Sequence, residues 1–262
     1  MINAVIEIVK SVAKTEVMPR YLKVARQRKS DGSMCTEADI AAQAALSHKL
    51  QALSGHQVLG EEMPSELQKE LWESGEDGLW CIDPIDGTSN FVNGLPYFAV
   101  SVALMRDGRS VLGVVYDPVA DEVFYAERGK GAFLNGVRLP IKEYAPDLHH
   151  CMAGVDFKRL DARLSTQLAS APPYSSQRNY GASTLDWCYV AAGRFDLYLH
   201  GGQKLWDYAA GSLILEEAGG SMCTFTMDDF WGDAVWQRPV ISALNPGLFA
   251  AWRNWIRAAN KC

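Results

Sequence analysis

The sequence predicts a mixed fold, α+β in its first half and α/β in its second, with the two halves meeting along a cleft. Residues 1–141 carry the pattern of two helices followed by antiparallel strands, whereas residues 142–262 alternate short strands with helices. The chain has 262 residues, and at roughly 150 residues per domain this length suits one large unit or two closely packed halves.

Two helices are predicted before the first sheet. The first precedes Pro19, a helix breaker, and its buried face is indicated by four residues at helical spacing: Val5, Ile8, Val9 and Val12. The polar stretch at 26–33, RQRKSDGS, predicts a turn. The second helix begins at Thr36, because Asp39 three residues later completes a capping-box pattern, and it ends before Gly55.

Turn signals divide the following region, residues 57–141, into antiparallel strands. Apolar runs flank Asp107-Gly108 and Asn135-Gly136, and an Asn-Gly pair is the strongest short signal for a β-hairpin. The strand LWCID is expected to stop at Pro84, because proline has no N–H group to donate to a ladder.

In the second half, helices are predicted over 183–192 and 206–218, and Gly219-Gly220 ends the latter. A last helix begins after Asn245, a capping residue that is followed by proline at the first helical position. Strands are predicted at FDLYL and PVISAL.

Composition excludes several classes of function. There are 31 acidic and 25 basic residues, and a net charge of −6 disfavours non-specific binding to nucleic acid or to anionic lipid. No apolar run approaches the ~20 residues of a membrane span, and the N-terminus does not resemble a secretory signal. The six cysteines form no CxxC pair, which argues against zinc and for a reducing, cytoplasmic location. We therefore expect no membrane and no nucleic-acid partner.

Paired acids at predicted strand ends indicate a metal site. Glu61 and Glu62 follow one strand, and Asp83 and Asp86 flank a proline at the end of another. Carboxylates held together repel, and a divalent cation offsets that repulsion. Oxygen ligands without His or Cys favour Mg²⁺, with Mn²⁺ as a substitute. The alternatives are an ordinary turn capped by aspartates and a solvated acidic face.

The next two residues, Gly87 and Thr88, indicate an anion site. Their backbone N–H groups can surround a phosphate, the more so if they begin a helix. An ordinary glycine turn is the alternative. The motifs of competing sites, GxSxG, GxGxxG and GxxxxGK[ST], are absent from the sequence.

Three ordered motifs extend this pattern: Gly60-Glu61-Glu62; Trp80-Cys81-Ile82-Asp83-Pro84-Ile85-Asp86-Gly87-Thr88-Ser89-Asn90-Phe91; and Leu205-Trp206-Asp207-Tyr208-Ala209-Ala210-Gly211 with Glu217-Ala218-Gly219-Gly220. With these motifs the chain resembles the inositol monophosphatase family of Mg²⁺-dependent, Li⁺-sensitive phosphatases, over about residues 5 to 260. Further stretches that resemble the family are Asp31-Gly32-Ser33, Thr36-Glu37-Ala38-Asp39 and Val115-Tyr116-Asp117-Pro118.

The resemblance implies a layered αβαβα sandwich and a site for two or three Mg²⁺ ions. Glu61, Asp83 and the carbonyl of Ile85 would hold the first ion. The ligands of the second would be Asp83, Asp86 and Asp207. Without the resemblance, Asp207 is simply an acid near the start of a helix, where the helix dipole favours it.

The resemblance also implies how the reaction proceeds. A water beside the metal attacks phosphorus, no phospho-enzyme forms, and Glu61, Asp39 and Thr88 are the catalytic residues. Asp39 and Thr88 would orient or deprotonate the water, while Glu62 would support the site rather than ligate. For Asp39, the alternative is a purely structural role in the capping box.

The substrate contacts implied by the resemblance include one departure from the family. The implied residues are Asp86, Gly87, Thr88, Gly181, Ala182, Ser183, His200 and Asp207. In inositol-specific members a glutamate lies seven positions before the aspartate of Trp-Asp, but this chain has His200 there. A neutral imidazole has fewer acceptors than a carboxylate, which predicts weaker selectivity for inositol, whereas a protonated one would attract a second anionic group. Exposure of His200 to solvent at the cleft rim is the alternative.

The expected function is therefore hydrolysis of a small sugar or cyclitol phosphate, such as inositol 1-phosphate, by a homodimer. Other phosphate esters remain open as substrates, namely fructose 1,6-bisphosphate, histidinol phosphate and 3′-phosphoadenosine 5′-phosphate. A non-catalytic member that binds a partner, such as RNA or the transcription machinery, is the alternative from a different class.

Overall fold

The computed structural model describes residues 1–23, 27–28 and 34–261, in which two large β-sheets alternate with helices. The α-helices are α1 (Ile2–Val12), α2 (Glu37–Ser54), α3 (Ser65–Ser74), α4 (Thr88–Asn93), α5 (Ala162–Ser170), α6 (Ser183–Ala191), α7 (Leu205–Glu217) and α8 (Pro246–Lys261). The strands are β1 (Gln27–Arg28), β2 (Met34–Cys35), β3 (Gln57–Gly60), β4 (Leu79–Asp86), β5 (Ala99–Arg106), β6 (Arg109–Asp117), β7 (Glu122–Glu127), β8 (Ala132–Leu134), β9 (Val137–Arg138), β10 (Met152–Asp156), β11 (Ser176–Arg178), β12 (Leu197–Gln203), β13 (Ser221–Cys223) and β14 (Arg238–Ala243).

Five layers stack in the order helix, sheet, helix, sheet, helix. Helices α1 and α2 cover one face of the seven-stranded sheet and share a core with it around Leu46 and Val102. Helices α6 and α7 lie between the two sheets, with Trp187 and Leu213 in the central core. Helices α5 and α8 cover the outer face of the five-stranded sheet around Trp252. The predicted αβαβα sandwich is confirmed.

Strand order follows the chain in the first sheet and crosses over in the second. The first runs β3-β4-β5-β6-β7-β8-β9 and is antiparallel apart from the parallel pair β3–β4. The second runs β11-β10-β12-β14-β13 and is mixed. Both predicted hairpin turns, at Asp107-Gly108 and Asn135-Gly136, join neighbouring antiparallel strands. The predicted turn at 26–33 lies outside the described residues except for Gln27 and Arg28, as does the Asp31-Gly32-Ser33 stretch.

The first helix ends differently from the prediction. Helix α1 ends at Val12 and continues as a π-turn, Ala13–Val17, and then a 3-10 turn, Met18–Arg20. Pro19 therefore lies within the 3-10 turn, near its start, where its missing N–H group is not needed, and it does not stop the α-helix. The capping box of α2 is confirmed, with the backbone N–H of Thr36 donating to Asp39 Oδ2 at 2.7 Å.

Strand β4 does not stop at Pro84, which corrects a second prediction. The strand runs on to Asp86, and its pairing with β5 shifts between Asp83, opposite Ser101, and Asp86, opposite Ala99. Three steps on β4 thus match two on β5, which is the signature of a β-bulge. A proline is tolerated in a bulge because the ladder is interrupted there.

Among the described residues, no helix has both the length and the apolar character to cross a membrane.

Candidate metal and phosphate site

Three aspartates, two from β4 and one from the start of α7, converge at one end of the first sheet. One carboxylate oxygen from each of Asp83, Asp86 and Asp207 lies within 4.8 Å of the other two. Residues three apart on a regular strand point to opposite faces, and the extra residue in the β4 bulge brings Asp83 and Asp86 to the same side. Asp207 comes from the first turn of α7. The bulge that the sequence prediction missed is therefore what assembles the cluster.

These aspartates line a cavity of about 190 Å³. Most of the predicted site residues line it as well, and its full lining is Glu61, Asp83, Ile85, Asp86, Gly87, Thr88, Ser89, Lys158, Gly181 and Asp207. Ala182, although predicted to contact substrate, is buried and packs behind Gly87 and Thr88, the turn that the sequence predicts to bind phosphate and that we call the phosphate loop. Ser183 begins α6 beside Ala182. Asp39 lies beneath Thr88, one contact away from the cavity.

Glu61 reaches the cavity because β3 and β4 are parallel neighbours, so that their carboxyl ends meet at one edge of the sheet. Its backbone N–H donates to the Ile82 carbonyl at 3.3 Å. Gln68 of α3 donates its side-chain amide to the carbonyls of Gly60 at 2.9 Å and Glu61 at 3.2 Å. Glu62 donates its backbone N–H to Gln43 Oε1 at 2.9 Å, which anchors the turn beside Glu61.

Asp86 is held by a residue that the sequence analysis did not single out. Thr184 donates both its backbone N–H, at 2.6 Å, and its hydroxyl, at 2.7 Å, to Asp86 Oδ2. Thr184 is the second residue of α6. The start of this helix therefore fixes the carboxylate of Asp86, which belongs to β4 of the first sheet. The available signal was a hydroxyl residue at a helix start, but nothing local to it indicates a partner 98 positions away.

Asp207 combines the two roles that were considered for it. Its Oδ2 accepts the backbone N–H of Lys204 at 2.9 Å, which caps the start of α7. The same carboxylate also belongs to the three-aspartate cluster. The helix cap fixes the orientation in which the carboxylate meets Asp83 and Asp86.

Asp39 likewise joins a structural role to a place in the site. Its Oδ2 accepts the backbone N–H of Thr36 at 2.7 Å and the Thr36 hydroxyl at 2.6 Å. Its Oδ1 lies 3.3 Å from the Thr88 hydroxyl, which is also 3.0 Å from the Ile85 carbonyl. The Thr88 proton can go to only one of these acceptors at a time. When it goes to Asp39, the Ile85 carbonyl is free to bind a cation.

Gly87 gives the phosphate loop its shape. Its φ of +89° is left-handed, and a Cβ there would lie 3.1 Å from both the Cβ of Ala182 and the carbonyl oxygen of Tyr97. Asn90 donates its side-chain amide to the carbonyls of Tyr97 at 2.7 Å and Tyr180 at 2.6 Å. The loop between β4 and α4 is therefore fixed against the segment that carries Gly181.

His200 is not brought into the cavity. It is 4% exposed, so the alternative of a solvent-facing rim residue is wrong. Its Nδ1 accepts the backbone N–H of Gly202 at 3.1 Å, which leaves the proton on Nε2, 3.3 Å from Asp156 Oδ2. Both ring nitrogens are thus used within the protein, and neither is available for a substrate hydroxyl.

The four aspartates of the site, Asp39, Asp83, Asp86 and Asp207, share one electrostatic feature, a raised pKa. Burial and the charges of Glu61, Asp86 and Asp207 hold the pKa of Asp83 well above its usual range. Burial and Asp207 raise the pKa of Asp86 to about 7, against the hydrogen bonds from Thr184. Burial also raises the pKa of Asp207. For Asp39, burial raises the pKa to about 6, although the bonds from Thr36 oppose the shift.

We expect the metal-free protein to lose stability as the pH rises from 5 to 8. Asp39 and Asp86 bind protons more tightly in the folded than in the unfolded chain. Their stabilising contribution is therefore complete below pH ~4 and is lost as the pH rises through 6 and 7. Melting temperatures in EDTA across this range measure the effect, and Asp86→Asn should flatten the profile. A wild-type melting temperature that increases from pH 5 to 8 would contradict this assignment.

The donor set fits a hard divalent cation. Asp83, Asp86 and Asp207 form no ion pair with a described Lys or Arg, so no direct salt bridge offsets their mutual repulsion within the part of the chain that the structure describes. Together with Glu61 and the Ile85 carbonyl they offer only oxygen atoms, the ligands that Mg²⁺ and Mn²⁺ prefer.

The fold and site together define the class: a layered αβαβα sandwich with an acidic cluster beside a glycine-bearing loop. The family model described as "Inositol monophosphatase family" matches residues 1–257, and the chain belongs to this family.

Individual relatives agree with this placement. The "Nus factor SuhB" of Pasteurella multocida is 40% identical over 203 residues, which cover 75% of this chain and 74% of that protein. The Thermotoga maritima IMPase superposes with a TM-score of 0.82 at 30% identity, covering 98% of this chain and 95% of its own. An IMPase/NADP phosphatase solved with Mg²⁺ and phosphate has a TM-score of 0.78 at 25% identity, with coverage of 95% and 89%.

Proposed function

We propose that the protein is a Mg²⁺-dependent phosphomonoesterase that hydrolyses small sugar or cyclitol phosphates such as inositol 1-phosphate. The observation that carries the proposal is the cluster of Asp83, Asp86 and Asp207, in which one carboxylate oxygen from each residue lies within 4.8 Å of the other two, in a cavity that also holds the phosphate loop. Family membership and the related phosphatase solved with Mg²⁺ and phosphate support it.

The proposed metal ligands form two neighbouring positions, and Asp83 would belong to both. Glu61, Asp83 and the Ile85 carbonyl would hold one Mg²⁺, and Asp83, Asp86 and Asp207 would hold the other. When bound, Mg²⁺ lowers the pKa of a water molecule and stabilises negative charge on the leaving oxygen. Thr184 and the backbone N–H of Lys204 hold two of these carboxylates in place, which limits reorganisation during the reaction.

Thr88 and Asp39 provide a route for the proton of the attacking water. Thr88 Oγ1 accepts from the water while its own proton is donated to Asp39 Oδ1, 3.3 Å away. Asp39 receives the proton readily because burial has already raised its pKa to about 6. The carboxylate stays in place throughout, since Thr36 holds its other oxygen.

The reacting phosphate is bound by the loop that follows β4. Gly87 and Thr88 line the cavity at the start of α4, where their backbone N–H groups would bind the phosphate, and the left-handed φ of Gly87 permits that turn. No side chain of the protein needs to become phosphorylated, because water is the nucleophile.

The decisive test is phosphate release from a panel of esters with and without Mg²⁺. We expect release from inositol 1-phosphate to need Mg²⁺, to stop in EDTA and to return when Mg²⁺ is restored, with Mn²⁺ as a weaker substitute. Li⁺ should inhibit, because a small monovalent ion competes for the carboxylates but stabilises the leaving oxygen less. The panel includes fructose 1,6-bisphosphate, histidinol phosphate and 3′-phosphoadenosine 5′-phosphate. Equal release in EDTA would overturn the proposal.

A Nus-factor role is the second candidate, favoured by the 40% identity to the SuhB of Pasteurella multocida. The net charge of −6 disfavours a non-specific nucleic-acid contact and so favours a protein partner. In vitro transcription with the Pasteurella machinery, in which this chain replaces SuhB, tests the role. An effect that survives Asp83→Asn would be independent of phosphatase activity.

We also propose that the protein is a homodimer. Sedimentation of the protein on its own tests this oligomeric state.

A further inference from the structure

The cavity has a cationic side chain that the proposed mechanism does not use. Among the lining residues that belong to the described part of the chain, Lys158 is the only basic one, beside the acids Glu61, Asp83, Asp86 and Asp207. Lys158 is exposed and forms no ion pair with a carboxylate in the described part of the chain. Its ammonium group is therefore free to meet an anion that enters the cavity.

Lys158 stands on a turn that is held firmly against the second sheet. The turn, Phe157–Arg159, follows β10, and Asp156 Oδ1 accepts the backbone N–H of Lys158 at 2.7 Å. The other oxygen of Asp156 contacts His200 of β12 at 3.3 Å. At Gly201 a Cβ would lie only 2.0 Å from the Arg159 carbonyl oxygen, so the close approach of strand and turn requires glycine.

These contacts give His200 and Gly201 a common role. Both residues belong to β12 and hold the Phe157–Arg159 turn against that strand. The turn places Lys158 in the lining of the cavity, to which the second half of the chain also contributes Gly181 and Asp207. The phosphate loop, in contrast, comes from the first half. The positive charges of Arg159 and Lys204 also act on Asp207. Among the described residues, Lys158, Arg159 and Lys204 thus place positive charge on or near the part of the cavity that the second half of the chain forms.

On the basis of the proposed phosphatase function, we infer that Lys158 binds a second anionic group of the substrate, so that the preferred esters carry a carboxylate or another phosphate besides the reacting one. A neutral polyol offers hydroxyls, which do not need a full positive charge. A primary ammonium has three donors and no acceptor, and it pairs best with an anion. The residue that replaces the expected glutamate, His200, then acts by positioning this turn rather than by touching substrate.

Matched esters test the inference. Glycerol 2-phosphate and 2-phosphoglycerate share one carbon skeleton and one secondary ester, and they differ only by a carboxylate in place of a hydroxymethyl group. Fructose 1-phosphate and fructose 1,6-bisphosphate form the corresponding pair for a second phosphate. For each pair the readout is the ratio of kcat/KM, with Mg²⁺ fixed, and the wild type should favour the ester with the extra anion.

Lys158→Met should lower the ratio of kcat/KM within each pair about tenfold, whereas Lys158→Arg should largely keep it. Lys142 is exposed and lies away from the cavity, so Lys142→Met is the matched control and should leave the ratio unchanged. The Lys158→Met effect should shrink at high salt, because exposed charges are screened. An unchanged ratio, or an equal loss on both members of a pair, would overturn the inference and leave the phosphatase proposal standing. No Mg²⁺-dependent release from any ester would overturn both.

Discussion

Asp83→Asn is expected to abolish nearly all Mg²⁺-dependent phosphate release and, at the same time, to make the metal-free protein more resistant to heat. Asp83 is 1% exposed, and burial together with Glu61, Asp86 and Asp207 raises its pKa. Replacing the carboxylate by an amide of the same shape removes a buried charge, which relieves repulsion when no cation is present. The amide also removes the ligand that the two proposed metal positions share.

The two effects have different sizes and opposite signs. Loss of the shared ligand should lower kcat/KM by roughly a thousandfold or more, equivalent to about 4 kcal/mol of transition-state stabilisation. Relief of repulsion should raise the melting temperature in EDTA by a few degrees. An ordinary structural defect would lower activity and melting temperature together, so the opposite signs are the diagnostic feature.

A matched control is available in Asp117. Its carboxylate is also buried, and Oδ1 accepts the backbone N–H groups of Val119 and Ala120 in the turn after β6. Asp117→Asn should retain Mg²⁺-dependent activity and the increase in melting temperature that Mg²⁺ gives the wild type. If Asp83→Asn also keeps that increase, the site does not bind metal through Asp83.

Elements with a strong local signal were predictable from the sequence. The capping box at Thr36 fixes the start of α2, and the Asn135-Gly136 pair fixes a hairpin, because both depend on residues close together in the chain. The passage of β4 through Pro84 was not predictable in this way. Its bulge depends on pairing with β5, and local rules for proline take no account of the neighbouring strand.

The residues of the candidate site likewise fall into those that the sequence indicated and those that only tertiary packing brings to the site. Glu61, Asp83 and Asp86 were found because they belong to paired acids at predicted strand ends, whereas Asp39 and Asp207 received their site roles from the family resemblance. Thr184 and Lys158 were missed, because each reaches the site only through the packing of the second half against the first. His200 was noticed as a departure from the family pattern, but its position under the Lys158 turn is a property of the sheet register, in which Asp156 pairs with His200.

Asp39→Asn should lower kcat about a hundredfold or more while leaving the fold and KM nearly unchanged. The two oxygens of Asp39 have separate partners, Thr36 at Oδ2 and Thr88 at Oδ1. An asparagine can keep its oxygen toward Thr36, which preserves the helix cap. Its amide then faces Thr88 and cannot accept the hydroxyl proton, so the general-base contribution, typically 10²–10⁴-fold, is lost.

The cap and the proton route can be separated by two comparisons. Asp161→Asn makes the same chemical change at the N-cap of α5, where Asp161 accepts the backbone N–H groups of Arg163 and Leu164, and it should leave kcat unchanged. Thr88→Val should reproduce the loss seen in Asp39→Asn, and the double variant should be no worse than either single one, because the two residues act as one unit. Independent, additive losses would mean that Thr88 and Asp39 do not share a proton.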